Sequence, residues 1–400
     1  MQDGPRRIVV ATSFTWPKTA GLERVVENEV RELARRGYDV HVVCSRSPHD
    51  PAKWLPGVDV KVHRVPFRYL GFVPGVVYGL FYAFSAARTL RRLARREDAV
   101  VHAHNTFAAI ACMMAGLRRK TALHVHSISS QDNLAMESTN VPWPVRVMHR
   151  LDDALNLVVE LFVYNVVPLV LPVSDRELVD CKAKMRHPER CVMVRNGIDT
   201  DFFRPDPEAR AAFRKAHGIR EDEVVVMFLG RFNPKNGTMT IAQAVPHANR
   251  MGAAHARFVF VGEGTEEAEM RRVTAGEPNV LFVPAMPSHL AFPAADVFAS
   301  HLSNVAHGTG LTVQEAMATG VATVSGSDPY KDVLYANWKD MALVRKEDPV
   351  ALAEAFVRLV NDRALREALG RQGREKILRE YSVRAQVDAV LAHLTRVWRG

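Results

Sequence analysis

The strongest constraint on this 400-residue chain lies in its first 45 residues. In residues 7–13, RIVVATS, every residue after Arg7 is β-branched or small, the pattern of a strand covered on both faces. From Gly21 the apolar residues fall at Leu22, Val25, Val26, Val30, Leu33 and Ala34, which is one face of a helix. Gly37 supplies a stop, and residues 38–44 make a second strand. Strand, helix and strand at this spacing form a βαβ unit, and the right-handed crossover rule makes its strands parallel. Further strand-like runs follow at 99–104, 121–126 and 169–174.

The same grammar restarts after residue 196. Residues 223–229 read as a strand, followed by a Gly- and Asn-rich turn and a helix, with more strands at 257–261, 280–283, 297–300 and 321–325. The stretch joining the halves, NGIDTDFFRPDP, is rich in turn formers. The chain therefore reads as two α/β, doubly wound, Rossmann-like parallel-sheet domains, residues 1–190 and 196–380. Open sheets of this kind bind ligands beyond the C-terminal ends of their strands, so an interdomain cleft is the expected site.

Composition narrows the class further. With 48% hydrophobic and 24% charged residues, disorder and a polytopic membrane protein are excluded. A formal charge of +9 favours anionic partners. The basic residues are scattered and no nucleic-acid-binding motif is visible, so no nucleic acid is expected. Cys44, Cys112, Cys181 and Cys191 lack metal-ligand spacing and read as small buried hydrophobes in a reducing compartment. The N-terminus carries no signal-peptide pattern. The most apolar stretch, 154–173, contains Asn156, Glu160, Asn165 and Pro168, and reads as a buried helix running into a strand. A cytoplasmic protein is expected.

Three loops hold the candidate chemistry. FTWPKTAGLER opens the first helix, where backbone amides can approach an anion, but it is not the dinucleotide fingerprint GxGxxG. GRFNPKNG places Arg231 and Lys235 just after a buried strand, where their cations suit a diphosphate or else stay solvated. In HLSNVAHGTGLTVQEAMATG a polar loop enters a helix, so the backbone amides of Thr309, Gly310 and Leu311 would carry the positive end of its dipole. Glu315, one turn in, suits ribose hydroxyls or a plain helix-dipole role.

These segments, with AGLERVV, VHAH, LHVHS, PVSD, VRNGIDTDFF and FVFVGEG in order, resemble the retaining glycosyltransferases of family 4 (glycosyltransferase group 1, GT-B fold) over nearly the whole chain. The resemblance implies transfer of a sugar from a nucleotide-diphosphate sugar, UDP-sugar favoured, to an acceptor hydroxyl. No metal or cofactor is implied, and no protein nucleophile. It matches Gly21 to a glycine beside the donor phosphates and His126 to the histidine that reaches the donor sugar. Arg231, with Lys235, matches the diphosphate grip, and Gly262 and Gly264 match the turn lining the nucleotide. Gly310 and Leu311 match the amide-donating turn, and Glu315 matches the second glutamate of Glu-x7-Glu. The acceptor, a small molecule or a glycolipid head group, is expected near Ser129, Gln131 and Asn133 on the first domain. The last helix, about 383–400, is expected to pack back on that domain.

The chain departs from the family pattern at four places. Ala20 precedes Gly21 in place of a glycine; Asn236 holds the usual lysine position, with Lys235 one residue earlier; and Asp328-Pro329 replaces a Gly-Gly turn. His307 stands where the first glutamate of Glu-x7-Glu is usual, and a neutral imidazole accepts only one hydrogen bond. That substitution supports a second reading, a sugar-nucleotide-binding protein with little transferase activity; a GT-B nucleotide-sugar epimerase is a third. Asp199-Thr200-Asp201 spells a metal motif by coincidence, and His102, His104, His124 and His126 alternate as metal ligands could, though a structural role is commoner. The run ARTLRRLARRED forms a basic helix face suited to a peripheral membrane contact at an anionic surface, although a solvated face is the commoner use.

Overall fold

The computed structural model describes residues 4–13, 21–45, 58–66, 75–126, 143–300 and 310–400. The chain divides into two compact units, Met1–Gly197 with Val383–Gly400, and Ile198–Ser382.

The first unit holds a six-stranded parallel sheet in the order β3-β2-β1-β4-β5-β6. Its strands are β1 (Arg7–Ala11), β2 (Asp39–Ser45), β3 (Val60–Val65), β4 (Ala99–Ala103), β5 (Thr121–Val125) and β6 (Leu169–Pro172). Ile8, Val9, Val10 and Ala11 are fully buried, because helices cover both faces. On one face lie α1 (Gly21–Arg35) and the C-terminal helix, α6 (Val383–Arg399), whose Val387, Val390 and Leu394 pack with Val26, Val30 and Leu33. The other face is covered by α2 (Gly75–Ala94), α3 (Thr106–Met114) and α4 (Trp143–Val166). Gly37 ends α1 at φ +83°, and the Tyr38 amide bonds back to Leu33.

The second unit repeats the plan, with strand order β12-β11-β10-β7-β8-β9. Its strands are β7 (Val225–Leu229), β8 (Arg257–Val261), β9 (Val280–Val283), β10 (Val297–Ser300), β11 (Ala322–Gly326) and β12 (Ala342–Val344). The strands read from sequence recur with ends displaced by no more than two residues. Two strands escaped that reading. β3, VKVHRV, interleaves charge with valine and has little buried surface, while β12 is only three residues long. Both are edge strands, where a continuous apolar run is not needed.

One expectation is corrected. The apolar stretch 154–173 is a helix running into a strand, α4 into β6, but the helix is not buried. Asn156, Glu160, Val163 and Tyr164 face the core, whereas Leu155, Val158, Leu161 and Phe162 are exposed. Its polar residues are the inner ones: Glu160 receives the Lys184 ammonium at 2.6 Å, and Asn165 donates to the Leu161 and Lys184 carbonyls. Among the described residues, no helix is long and apolar enough to cross a membrane.

Candidate active site

In a sheet of order 12-11-10-7-8-9, β7 is the first strand, and the chain leaves it in opposite directions on either side. The switch point lies between β10 and β7, which pair in parallel through Val297–Val226 and Phe298–Met227. Ligands bind at such points, beyond the strand C-termini. Three of the singled-out segments leave the sheet there or one strand away.

The β7 and β8 exits run side by side. The Gly230 amide donates to the Val261 carbonyl at 3.0 Å, the Phe232 amide to Glu263 at 2.9 Å, and the Glu266 amide back to Phe232 at 3.1 Å. This approach requires glycine. A Cβ on Gly262 would lie 2.0 Å from the Gly230 oxygen, and one on Gly264 would lie 2.2 Å from the Phe232 oxygen. Phe232 is fully buried and anchors the loop from below. Asn233 accepts from the Asn236 amide at 3.1 Å, and the Asn236 side chain donates to the Arg231 carbonyl at 2.7 Å. The loop is therefore braced through its own asparagines. Asn236, at the position where the family pattern has lysine, is one of those braces.

Arg231 and Lys235 are exposed on this braced loop, and among the described residues neither side chain has an ion-pair partner. Two uncompensated cations on a rigid loop at a switch point suit a diphosphate.

Beyond β10, the strand paired with β7, α5 (Leu311–Ala318) starts at Gly310, whose φ is 78°. The first amides of a helix have no acceptor within it, and Gly310 and Leu311 supply two of them here. Glu315 lies on α5, 4% exposed, and accepts from the Ser288 hydroxyl at 3.0 Å. Ser288 was not singled out from the sequence, because it comes from a different loop. His307 and Thr309 lie outside the described residues. Just beyond the neighbouring strand β11, Asp328 caps the helix Pro329–Leu334 through the Tyr330 and Lys331 amides. The Lys331 ammonium, pushed down by burial, meets the Asp328 carboxylate and the Gly326 carbonyl, each at 3.0 Å. The Asp-Pro pair thus fills, with an internal ion pair, the place where the family pattern has two glycines.

In the first unit the switch point lies between β1 and β4. The Ser13 carbonyl at the end of β1 accepts from the Ser45 and Tyr78 hydroxyls, the latter at 2.8 Å. The chain returns at Gly21, the first residue of α1. His126 follows β5 directly, and its Nε2 lies 2.9 Å from His104 Nδ1. Ser129, Gln131 and Asn133 lie outside the described residues.

Behind His126 runs a column of imidazoles. His102 stacks on His124 with centroids 5.1 Å apart, and His104 on His126 at 5.2 Å. Under them, on α1, sits the fully buried Glu29. Its Oε1 lies 2.6 Å from His102 Nδ1 and 3.5 Å from His104 Nε2, while Oε2 accepts from Gln386 at 3.4 Å. Burial alone would raise the Glu29 carboxyl, but His102 and His104 hold it well below the usual range. Burial pushes His104, His124 and His126 down, so these rings are neutral near pH 7. Glu29, His102, His104 and His124 offer ligand atoms within 4.8 Å of one another, a set that zinc accepts. Much of its capacity is already taken: His102 holds Glu29, and His124 Nε2 lies 3.2 Å from the Val194 carbonyl. The signal for this network was a carboxylate at position 29 on the apolar face of α1. The other metal-like motif is also occupied, since Asp199 Oδ1 accepts from the Asp201 and Phe202 amides of its own turn.

Comparison with known proteins follows this division. Residues 19–202 match the model described as Glycosyltransferase Family 4, and residues 209–376 match Glycosyl transferases group 1. A GDP-mannose-dependent alpha-(1-6)-phosphatidylinositol monomannoside mannosyltransferase of Mycobacterium tuberculosis is 31% identical over 219 residues, 51% of this chain and 54% of that protein. The chain thus spans about half the length of that curated relative. A D-inositol 3-phosphate glycosyltransferase of Acidothermus cellulolyticus is 29% identical over 397 residues, 92% of this chain and 85% of its own. Among solved structures, Anabaena HepE in complex with UDP and glucose has a TM-score of 0.72 at 16% identity, covering 98% of this chain and 100% of that one. That likeness is one of fold: two doubly wound parallel sheets of the GT-B type.

Proposed function

The chain belongs to the family 4 glycosyltransferases, of the glycosyl transferases group 1 kind, and from that premise we propose that it transfers a sugar from a nucleotide-diphosphate sugar to an acceptor hydroxyl with retention of anomeric configuration. In this reaction the bond between the anomeric carbon and the diphosphate oxygen breaks, and a bond from the acceptor oxygen to that carbon forms. The acceptor proton passes to the departing diphosphate, and no protein nucleophile is used.

The observation that carries the reading is the pair Arg231 and Lys235 on the braced β7 exit, with the N-terminal end of α5 at Gly310–Leu311 following the neighbouring strand β10. Negative charge grows on the diphosphate as the bond breaks, and preorganised positive groups stabilise it. Here those groups are two cations and a helix N-terminus, so the role of a metal is met by the chain itself. Gly262 and Gly264 would line the nucleotide, and Glu315 would accept from ribose hydroxyls in exchange for Ser288. Gly21 would approach the donor phosphates and His126 would orient the sugar. Its tie to His104 leaves Nδ1, buried and without a partner among the described residues, as its free atom.

A UDP-sugar is favoured as donor, in line with the UDP named for the Anabaena structure, while the mycobacterial relative's name carries GDP-mannose. The acceptor is a small molecule or a glycolipid head group, as the inositol phosphate and phosphatidylinositol names of the relatives suggest. His307 favours a second reading, donor binding with little transfer. One assay separates the two: purified protein incubated with UDP- and GDP-sugars and a panel of polyol and glycolipid acceptors. Transfer, with the product's anomeric coupling matching the donor's, supports the first reading. Donor binding without product across the panel supports the second, and an inverted product rules out retention.

A further inference from the structure

Among the described residues, the outer side of α4 has no partner. Trp143, Val147, Leu151, Leu155, Val158 and Phe162, spaced by fours and one three, form a single stripe. Trp143 is 72% exposed, Leu151 61% and Val158 63%. At 1.5 Å per residue the stripe is roughly 28 Å long. A single exposed leucine is ordinary, but an apolar stripe of this length marks an interaction surface. The remaining exposed positions of α4 add Arg146 and Arg150 at its margin and no acid.

α2 continues the surface. Its Val76 amide donates to Asp152 of α4 at 3.1 Å, which ties the two helices together. The outward side of α2 is apolar in its first half, with Phe81 53% and Phe84 68% exposed, and basic in its second. Arg88, Arg91 and Arg92 are exposed there, as is Arg95 just beyond, and among the described residues none of the four pairs with an acid. The sequence of α2 contains no acidic residue. The charge of the whole chain follows the same division: the first unit carries more than the entire +9, and the second is slightly acidic.

We propose that the α2–α4 face docks on an anionic phospholipid surface, with the α4 stripe entering the headgroup–acyl boundary and the flanking arginines meeting lipid phosphates. A helix lying in the interface needs an apolar face, basic margins and an amphipathic aromatic at the boundary, and α4 with α2 provides all three. A second copy of this chain fits less well. A two-fold contact sets the same patch against itself, and this patch holds arginines with no exposed acid on either helix to answer them. The inference stands apart from sugar transfer, because binding is measured without donor or acceptor.

The test is flotation of the full chain with vesicles of phosphatidylcholine alone or with 30% phosphatidylglycerol, roughly physiological anionic content, beside light scattering in solution. The expected result is binding at least tenfold stronger to the anionic vesicles, weakening as salt is raised. Leu151→Glu with Val158→Glu, both on the surface, should lower binding at least tenfold with an unchanged circular dichroism spectrum and melting temperature. Arg88→Glu with Arg91→Glu should abolish the preference for anionic lipid. Failure of the wild-type protein to float with anionic vesicles overturns the proposal. So does binding unaffected by the α4 pair, or a stable dimer that the α4 pair converts to monomer.

Discussion

The contact between the β7 and β8 exits gives the sharpest consequence of the structure. Gly262 has φ +145°, and a methyl there would sit 2.0 Å from the Gly230 carbonyl oxygen. Ordinary contact needs about 3.5 Å, so the two exits must part by roughly 1.5 Å in Gly262→Ala. That movement breaks the Phe232–Glu263 hydrogen bond and strains the Glu266–Phe232 one. An alanine held at this φ costs about 1–3 kcal/mol, and each lost hydrogen bond about 1 kcal/mol. The second unit should lose about 2–4 kcal/mol, and its melting transition should fall by about 5–15 °C. Arg231 directly precedes Phe232, where the bond is lost, so nucleoside diphosphate affinity should fall in the same variant. Gly276→Ala is the control, since nothing lies within 4 Å of its Cβ position. Differential scanning calorimetry and titration calorimetry read both quantities. A Gly262→Ala protein that melts and binds like Gly276→Ala would refute the close-approach argument.

Three other outcomes follow. Because burial keeps His104, His124 and His126 neutral in the fold while the unfolded chain protonates them below about pH 6.5, each contributes stability that is full above that pH and is lost as the pH falls. The unfolding free energy of the first unit, read by urea titration, should therefore drop from pH 7.5 to 5.5, by up to about 1.4 kcal/mol per histidine per pH unit, and a flat profile would contradict the neutral column. Glu29 and its imidazoles should work without an ion, so metal analysis of the purified protein should find substoichiometric zinc; one equivalent, lost together with stability in Glu29→Gln, would make the network a metal centre. If His307 contacts the donor sugar, His307→Glu should change which donors are turned over at near-constant nucleotide affinity, and an unchanged donor profile would remove it from the site.

Much of this architecture is legible in the sequence, because parallel strands buried on both faces must be continuous apolar runs. β1, β8 and β10 are visible for that reason, and β3 is hidden because an edge strand is free of the requirement. Exposure of a helix is less legible. Asn156, Glu160 and Asn165 look like breaks in an apolar segment, but they lie on its inward side, with Glu160 held by Lys184 and Asn165 by local carbonyls. Composition alone cannot say which face of a helix the sheet will cover. Gly262 and Gly264 stood out only through the family resemblance, and the close backbone approach they permit is visible only in the fold. Ser288 was invisible, since only the fold brings its hydroxyl to Glu315.

The central claim is that Arg231 and Lys235 receive a diphosphate. Titration calorimetry of UDP and GDP into the wild-type protein and into Arg231→Ala tests it most directly. The account predicts one-to-one binding of at least one of the two nucleotides, weakened at least tenfold by the substitution, with kcat/KM for the sugar donor reduced roughly 10²-fold or more. Equal affinity in the two proteins, or no binding of either nucleotide to the wild type, would contradict it.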